Sequence, residues 1–242
     1  MKKNGFTLAE VLITLGIIGV VAALTMPPLI AKYKEKVTIT KLKKFYSVMS
    51  QAYQSAVFDN GTADTWGLTT DGAGAVRFLN VLTPYFNAKN CGLGLGCAPN
   101  VTYKHLNGGN DNNPATDTNL ATMLFNDGTH LWLSIASGNC TSNRGTTKEL
   151  QSVCALGYID TNGFKPPNKI GVDAFFFYWS TDRVIPSGTR DDTSYPFQSR
   201  CQVTGGLSGA QGQACTAWAI TNENMEYLRC NNLSWSGKTK CN

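Results

Sequence analysis

"FTLAEVLITLGIIGVVAALTMPPLIAKYK", residues 6–34, decides how the rest of the chain is read. From Val11 to Ala31 it runs 21 residues without a charge. As a helix rising ~1.5 Å per residue it would be about 31 Å long, the thickness of a bilayer core. Its large apolar side chains, Leu12, Ile13, Leu15, Ile17, Ile18, Val20, Val21 and Leu24, point in every direction round the axis. A helix apolar on all sides needs lipid or surrounding helices. Glu10 stands at the edge of this run, where an ionised carboxylate costs a few kcal/mol and marks a functional position.

A secretory signal would account for part of the pattern, with Lys2 and Lys3 as its basic start and Val21-Ala22-Ala23 as a cleavage site. Two features oppose it: the acid at position 10, and apolar character that continues past Ala23 through Met26, Leu29 and Ile30. "GFTLAEVLITLGIIGVVAALTMPPLI" instead resembles the processing and methylation segment of type IV pilins and type II secretion pseudopilins. The likeness covers Gly5 followed by Phe6, the acid four residues beyond Phe6, the apolar run, and Pro27. It implies a leader, residues 1–5, removed between Gly5 and Phe6 by a prepilin peptidase that then methylates the Phe6 amine. It further implies a transmembrane and assembly helix over 6–31 that bends at Pro27 and Pro28. Glu10 of one copy would neutralise the Phe6 amine of its neighbour; in low dielectric such a pair roughly breaks even and acts mainly as a register device. The implied protein is a structural subunit of a pilus or pseudopilus. It sits in the bacterial inner membrane, single-pass with its N-terminus cytoplasmic, and later in a periplasmic or cell-surface filament. The implied partners are the peptidase, other pilin or pseudopilin subunits and an inner-membrane assembly platform. A membrane-anchored or exported binding protein, such as an adhesin, is the alternative, and an exported enzyme stands third.

Residues 32–59 continue as an amphipathic helix. Leu42, Phe45, Tyr46, Met49, Ala52, Tyr53, Ala56 and Val57 recur at three- and four-residue spacings, and Asp59-Asn60-Gly61 supplies a stop. Lys32, Lys34, Lys36, Lys41, Lys43 and Lys44 against Glu35 give this stretch five net positive charges, equal to the +5 of the whole chain. Residues 45–242 are nearly neutral, with 13 basic and 14 acidic side chains, so no nucleic-acid partner is expected. The lysines read as solvation of the helix or contact with anionic headgroups. With the N-terminus inside they lie on the outer side, against the positive-inside tendency, and translocation of the following domain must override it.

Residues 60–242 are expected to form one extracytoplasmic α+β head, an antiparallel sheet packed on the apolar face of the long helix. "AVRFLNVLTPYF" reads as a short helix ended by Pro84, and "NCGLGLGCAPN" and "NGGNDNNPATDTN" as loops. "ATMLFNDGTHLWLSI" reads as a hairpin about Asn126-Asp127-Gly128; "ALGYIDTNG" and "DAFFFYWSTDRVIP" read as further strands. All eight cysteines fall in this head, which indicates an oxidising compartment. Among ~105 pairings the sequential one closes the smallest loops: Cys91 with Cys97, Cys140 with Cys154, Cys201 with Cys215, Cys230 with Cys241. Zinc is disfavoured, since there is no Cys-x-x-Cys and only His105 and His130 could add imidazoles. No catalytic residues are assigned; His130 reads as a strand-surface or cross-strand residue. Asp160 and Asn162, at alternate positions before Gly163, open as a calcium loop would, with Asp173 to close it. The EF-hand spacing and its terminal Glu are missing, and a plain turn is favoured over calcium. In the tail, Trp218, Tyr227 and Trp235 suit a disulfide-pinned core flap or, were the indoles exposed, a recognition surface.

Overall fold

The computed structural model describes residues 7–94, 96–98, 100–111, 113–204 and 211–241. Gly5, Phe6 and the expected leader, residues 1–5, lie outside them. The chain forms two compact units, one ending at Val37 and the other beginning at Thr38. Helix α1 (Leu8–Asn60) supplies residues to both and includes Pro27 and Pro28. These two prolines lack an N–H, so the carbonyls four residues upstream, on Ala23 and Leu24, lose their helical donors. The helix ends at Asn60 because Gly61 takes the left-handed conformation (φ +76°) that closes helices.

In the first unit the large side chains from Leu8 to Ile30 are exposed along the length of α1. Among the described residues this is the one helix long and apolar enough to cross a membrane. In the second unit the three- and four-residue spacing has its expected consequence: Ile39, Leu42, Phe45, Met49, Ala52, Tyr53 and Ala56 are buried along one face of α1.

That face packs on a six-stranded sheet: β1 (Ala88–Leu93), β2 (Ala121–Phe125), β3 (His130–Ile135), β4 (Val153–Asp160), β5 (Ala174–Ser180) and β6 (Val184–Pro186). Each strand is antiparallel to the next, in chain order. The short helix α2 (Gly72–Leu82) begins at Asp71, whose side chain accepts from the Gly74 N–H, and buries Ala75, Phe78, Leu79 and Leu82. Rings interlock helix and sheet. Phe45 meets Phe125 edge-on at 5.3 Å, Tyr46 stacks on Phe177 at 5.9 Å, and Phe78 meets Trp179 at 6.3 Å. The Tyr53 hydroxyl, fully buried, donates to the Ser180 carbonyl at 2.5 Å. Three of the six clustered lysines also belong to this contact. Lys41 Nζ donates to the Thr161 carbonyl, Lys43 pairs with Glu223, and Lys44 Nζ lies 3.5 Å from Asp127 Oδ2.

Two expectations need correction. The stretch around Cys91, read as loop, contains β1; as an edge strand with a bulge between Asn90 and Gly92 it shows no clean apolar alternation. "DAFFFYWSTDRVIP", read as one strand, is the hairpin β5–β6, because Ser180 turns the chain: its N–H donates to the Arg183 carbonyl at 2.8 Å. The sheet is also covered on both faces. Phe175, Phe177 and Trp179 of β5 join the cluster that includes α1. Ala174, Phe176 and Tyr178 join a second cluster with Tyr103, Trp132 and Tyr158. All of β5 is therefore buried, which is why its sequence shows a continuous aromatic run.

The structure joins Cys91 to Cys97, Cys140 to Cys154, Cys201 to Cys215, and Cys230 to Cys241. A closed loop of about 15 residues contributes ~3 kcal/mol in the chain-entropy model. Beyond β6, Trp218 stacks on Phe197 at 4.2 Å and is fully buried, Tyr227 donates to the Gly171 carbonyl at 2.9 Å, and Trp235 Nε1 donates to the Gly188 carbonyl at 3.1 Å. Trp218 and Tyr227 belong to the core, and half-buried Trp235 packs against it.

Met49→Ala, which empties a fully buried position on α1, is expected to lower unfolding free energy by about 2–5 kcal/mol. Gln51→Ala, two residues on and on the exposed face, should change it by less than about 0.5 kcal/mol. Denaturant titration of the detergent-solubilised chain reads both; equal losses would mean that α1 is not seated on this face.

Candidate functional site

The first candidate lies at the start of α1. Glu10 Oε2 accepts from the Thr7 backbone N–H at 2.8 Å and from Thr7 Oγ1 at 2.9 Å, while the Glu10 N–H donates back to Thr7 Oγ1 at 3.3 Å. This reciprocal arrangement is a capping box, which satisfies donors that a helix N-terminus leaves free. Sequence reasoning gave Glu10 an intermolecular role and passed over the local one, although Thr7-x-x-Glu10 was the available signal. The carboxylate therefore has a partner within its own chain. Downstream, Gly16 and Gly19 have nothing within 4 Å of where a Cβ would sit, so nothing in the described residues requires them to be glycine.

The second candidate is the loop between β4 and β5. The structure brings Asp160, Asn162 and Asp173 together. Asp160 Oδ1 accepts from the Asn162 N–H at 2.9 Å and Oδ2 from the Tyr103 hydroxyl at 2.6 Å. Asp173 Oδ1 accepts from the Lys169 N–H at 2.6 Å, and Oδ2 from the Asn168 N–H at 2.8 Å and from Asn162 Nδ2 at 3.2 Å. Every carboxylate oxygen thus faces a hydrogen-bond donor, and a cation would have to displace those donors first. Asn162 Oδ1 and Asn168 Oδ1 are buried without a hydrogen-bond partner, the one feature that suits a missing cation. Among the described residues no three His, Cys, Asp or Glu side chains converge as metal ligands. Burial pushes the Asp160 carboxyl up to about 7, opposed by the Tyr103 hydrogen bond and reinforced by the neighbouring Asp173 charge. Burial also raises Asp173, against the N–H groups of Lys169 and Asn168.

The remaining buried polar groups are structural in form. Asp192 Oδ2 accepts from the Tyr178 hydroxyl, Ser187 Oγ and the Gly188 N–H, and Oδ1 from the Ser194 and Tyr195 N–H groups, so one carboxylate closes the segment after β6. His130 is cross-strand, directly opposite Asp160, but it is not on a surface. It is fully buried, with its ring 5.4 Å from Trp132 and 4.6 Å from Phe164. Burial drives its pKa down to about 3, so at neutral pH it is an uncharged ring among aromatics.

Two family models match the chain. Residues 1–26 match the prokaryotic N-terminal methylation motif, the prepilin signal of type IV pilins and pseudopilins. Residues 28–76 match a family of unknown function (DUF6613). No curated protein and no solved structure matches.

The carboxyl of Asp160 predicts a pH signature. Its folded-state pKa, about 7, lies above the unfolded value, so the folded state binds the proton more tightly. The resulting stability is fully present below about pH 4 and is lost as pH rises toward 7, by a few kcal/mol. Asp160→Asn keeps an acceptor and removes the ionisation. Its melting temperature relative to the parent chain should climb as pH goes from 4.5 to 7.5. Parallel curves for the two proteins across that range would mean that Asp160 is not held in a protonated, buried state.

Proposed function

Starting from the prepilin signal at residues 1–26, we propose that this chain is a structural subunit of a type IV pilus or type II secretion pseudopilus. A prepilin peptidase cuts between Gly5 and Phe6 and methylates the new amine. The uncharged half of α1 holds the subunit in the inner membrane, N-terminus inside, until the assembly platform extracts it into a filament of like or related subunits. The observation that carries this reading is the conjunction of that signal with a helix whose first twenty-odd residues find no cover in their own unit. Such a surface is stable only in lipid or among other helices, and a pilus subunit occupies each in turn. Gly16 and Gly19 favour the second environment, because residues without side chains let helix backbones approach closely.

The chemistry is assembly, and no side chain is assigned a catalytic role. Between assembly steps Glu10 has two possible partners, Thr7 of its own chain and the Phe6 amine of the next. Exchange of one for the other keeps the carboxylate solvated by protein throughout, which is how an acid is tolerated in an apolar rod. The Asp160–Asp173 loop enters as a self-satisfied turn. Calcium is the rival there, favoured only by the Asn162 and Asn168 oxygens.

Mass spectrometry of the chain recovered from membranes should show an N-terminus at Phe6 carrying one added methyl group, and Gly5→Val should leave the leader attached. A chain beginning near Leu24 would instead mark a conventional exported protein, the adhesin alternative included. Millimolar calcium is expected to leave the melting temperature unchanged; a rise of several degrees would convert the Asp160–Asp173 turn into a cation site.

A further inference from the structure

The six lysines clustered on α1 are not equivalent. Lys41, Lys43 and Lys44 are engaged within the second unit, on the Thr161 carbonyl, Glu223 and Asp127 respectively. Lys32 and Lys34 are exposed, and among the described residues neither meets an acid. Both belong, with Tyr33, Glu35 and Lys36, to the first unit, which ends at Val37. Residues 32–36 therefore carry three lysines against one acid, directly after the uncharged run that ends at Ala31. Tyr33 is 68% exposed, so nothing in its own unit covers the ring.

Their position on the helix fixes their depth. If Val11 to Ala31 fills about 31 Å of hydrocarbon, residues 32–36 begin where the hydrocarbon ends. That is the level at which tyrosine rings concentrate and at which a lysine stem can lie along acyl chains with its ammonium in the polar layer. Their angular placement then selects the partner. Lys32 and Lys34 are two residues apart, about 200° round the axis, and so stand on opposite sides of the helix. Tyr33 projects between them, and Lys36 returns to within about 40° of Lys32. A protein seated on one side of α1 would meet one of the two free ammonium groups and leave the other. A headgroup layer encloses the helix and meets both.

We propose that Lys32, Tyr33 and Lys34 form an interfacial collar that gathers anionic phospholipid in the leaflet at the C-terminal end of the apolar run. The chemistry recognised is a phosphate diester whose headgroup carries no compensating cation. Glu35, in the same turn, weakens the attraction without cancelling it, since three lysines surround it. The proposal rests on the membrane stage of the reading above and adds a lipid preference to it. Each lysine at a charged membrane surface is expected to shift that preference by about fivefold.

Lipid counting tests it. The full chain is reconstituted into vesicles of phosphatidylglycerol and phosphatidylcholine in equal parts, and the lipids retained on gentle extraction are counted by native mass spectrometry. Phosphatidylglycerol should be retained over phosphatidylcholine by roughly twentyfold at low salt, and the margin should shrink in about 1 M salt, where charges are screened within ~3 Å. Lys32→Gln and Lys34→Gln should each lower the preference about fivefold and together bring it near parity. Lys43→Gln, which removes the same charge from a lysine held by Glu223, should leave it unchanged. The double variant at positions 32 and 34 should melt at the parent temperature, because neither lysine holds a contact in its own chain. Equal retention of both lipids by the parent, a preference that survives in the double variant, or an equal loss in Lys43→Gln overturns the proposal. A chain that inserts and is matured at Phe6 but shows no lipid preference would remove the collar and leave the filament reading standing. The preference in a chain that is never cut after Gly5 would do the reverse.

Discussion

The constraint on which everything else depends is that the first half of α1 cannot be satisfied by its own chain. From Leu8 to Ile30 its large side chains are exposed, and no charge interrupts Val11 to Ala31. Burial of apolar side chains is worth roughly 1.5–3 kcal/mol apiece, so leaving a run of them in water is prohibitive. Lipid and neighbouring helices are the two remedies. Glu10 is the one charged group on this surface, and it reaches lipid depth already hydrogen-bonded to Thr7. That local bond lowers the cost of carrying an acid at the edge of the apolar run.

The head solves a different problem: a loop-rich stretch of little net charge has to hold its shape. Its sheet is buried on both faces by aromatic clusters, and four disulfides close short loops round it. Buried acids serve as backbone clamps. Asp192 gathers three N–H groups and two hydroxyls, and Asp173 holds the turn into β5. A buried carboxylate with that many donors is a fastening, since any one donor left unpaired would be costly in a dry interior. His130, without a polar partner and uncharged by burial, acts as one more ring in the stack over β3.

Long-period and short-range signals were legible in the sequence. The heptad-like spacing from Leu42 to Val57 located the face of α1 that meets the sheet, and Asn126-Asp127-Gly128 located the β2–β3 turn, where Gly128 has φ +86°. Readings failed where tertiary context outweighs local pattern. β1 is a half-exposed edge strand with a bulge, so its residues carry no alternation. The β5–β6 turn is made by Ser180 and Arg183 and contains neither Gly nor Pro. The burial of His130 depends on Phe164, 34 residues away, and no local window contains that information. At the candidate site the family likeness singles out Glu10 for a pairing between chains, whereas its cap is carried by the short Thr7-x-x-Glu10 spacing alone.

Filament yield of Glu10→Leu set beside Thr7→Val tests the central claim most directly. The first variant removes the carboxylate, while the second removes only the hydroxyl half of its local cap. If Glu10 serves register between neighbouring helices, Glu10→Leu will insert, be cleaved and fail to polymerise, and Thr7→Val will still form filaments. Normal polymerisation by Glu10→Leu, or equal failure of both variants, would reduce Glu10 to a helix cap and contradict the intermolecular role.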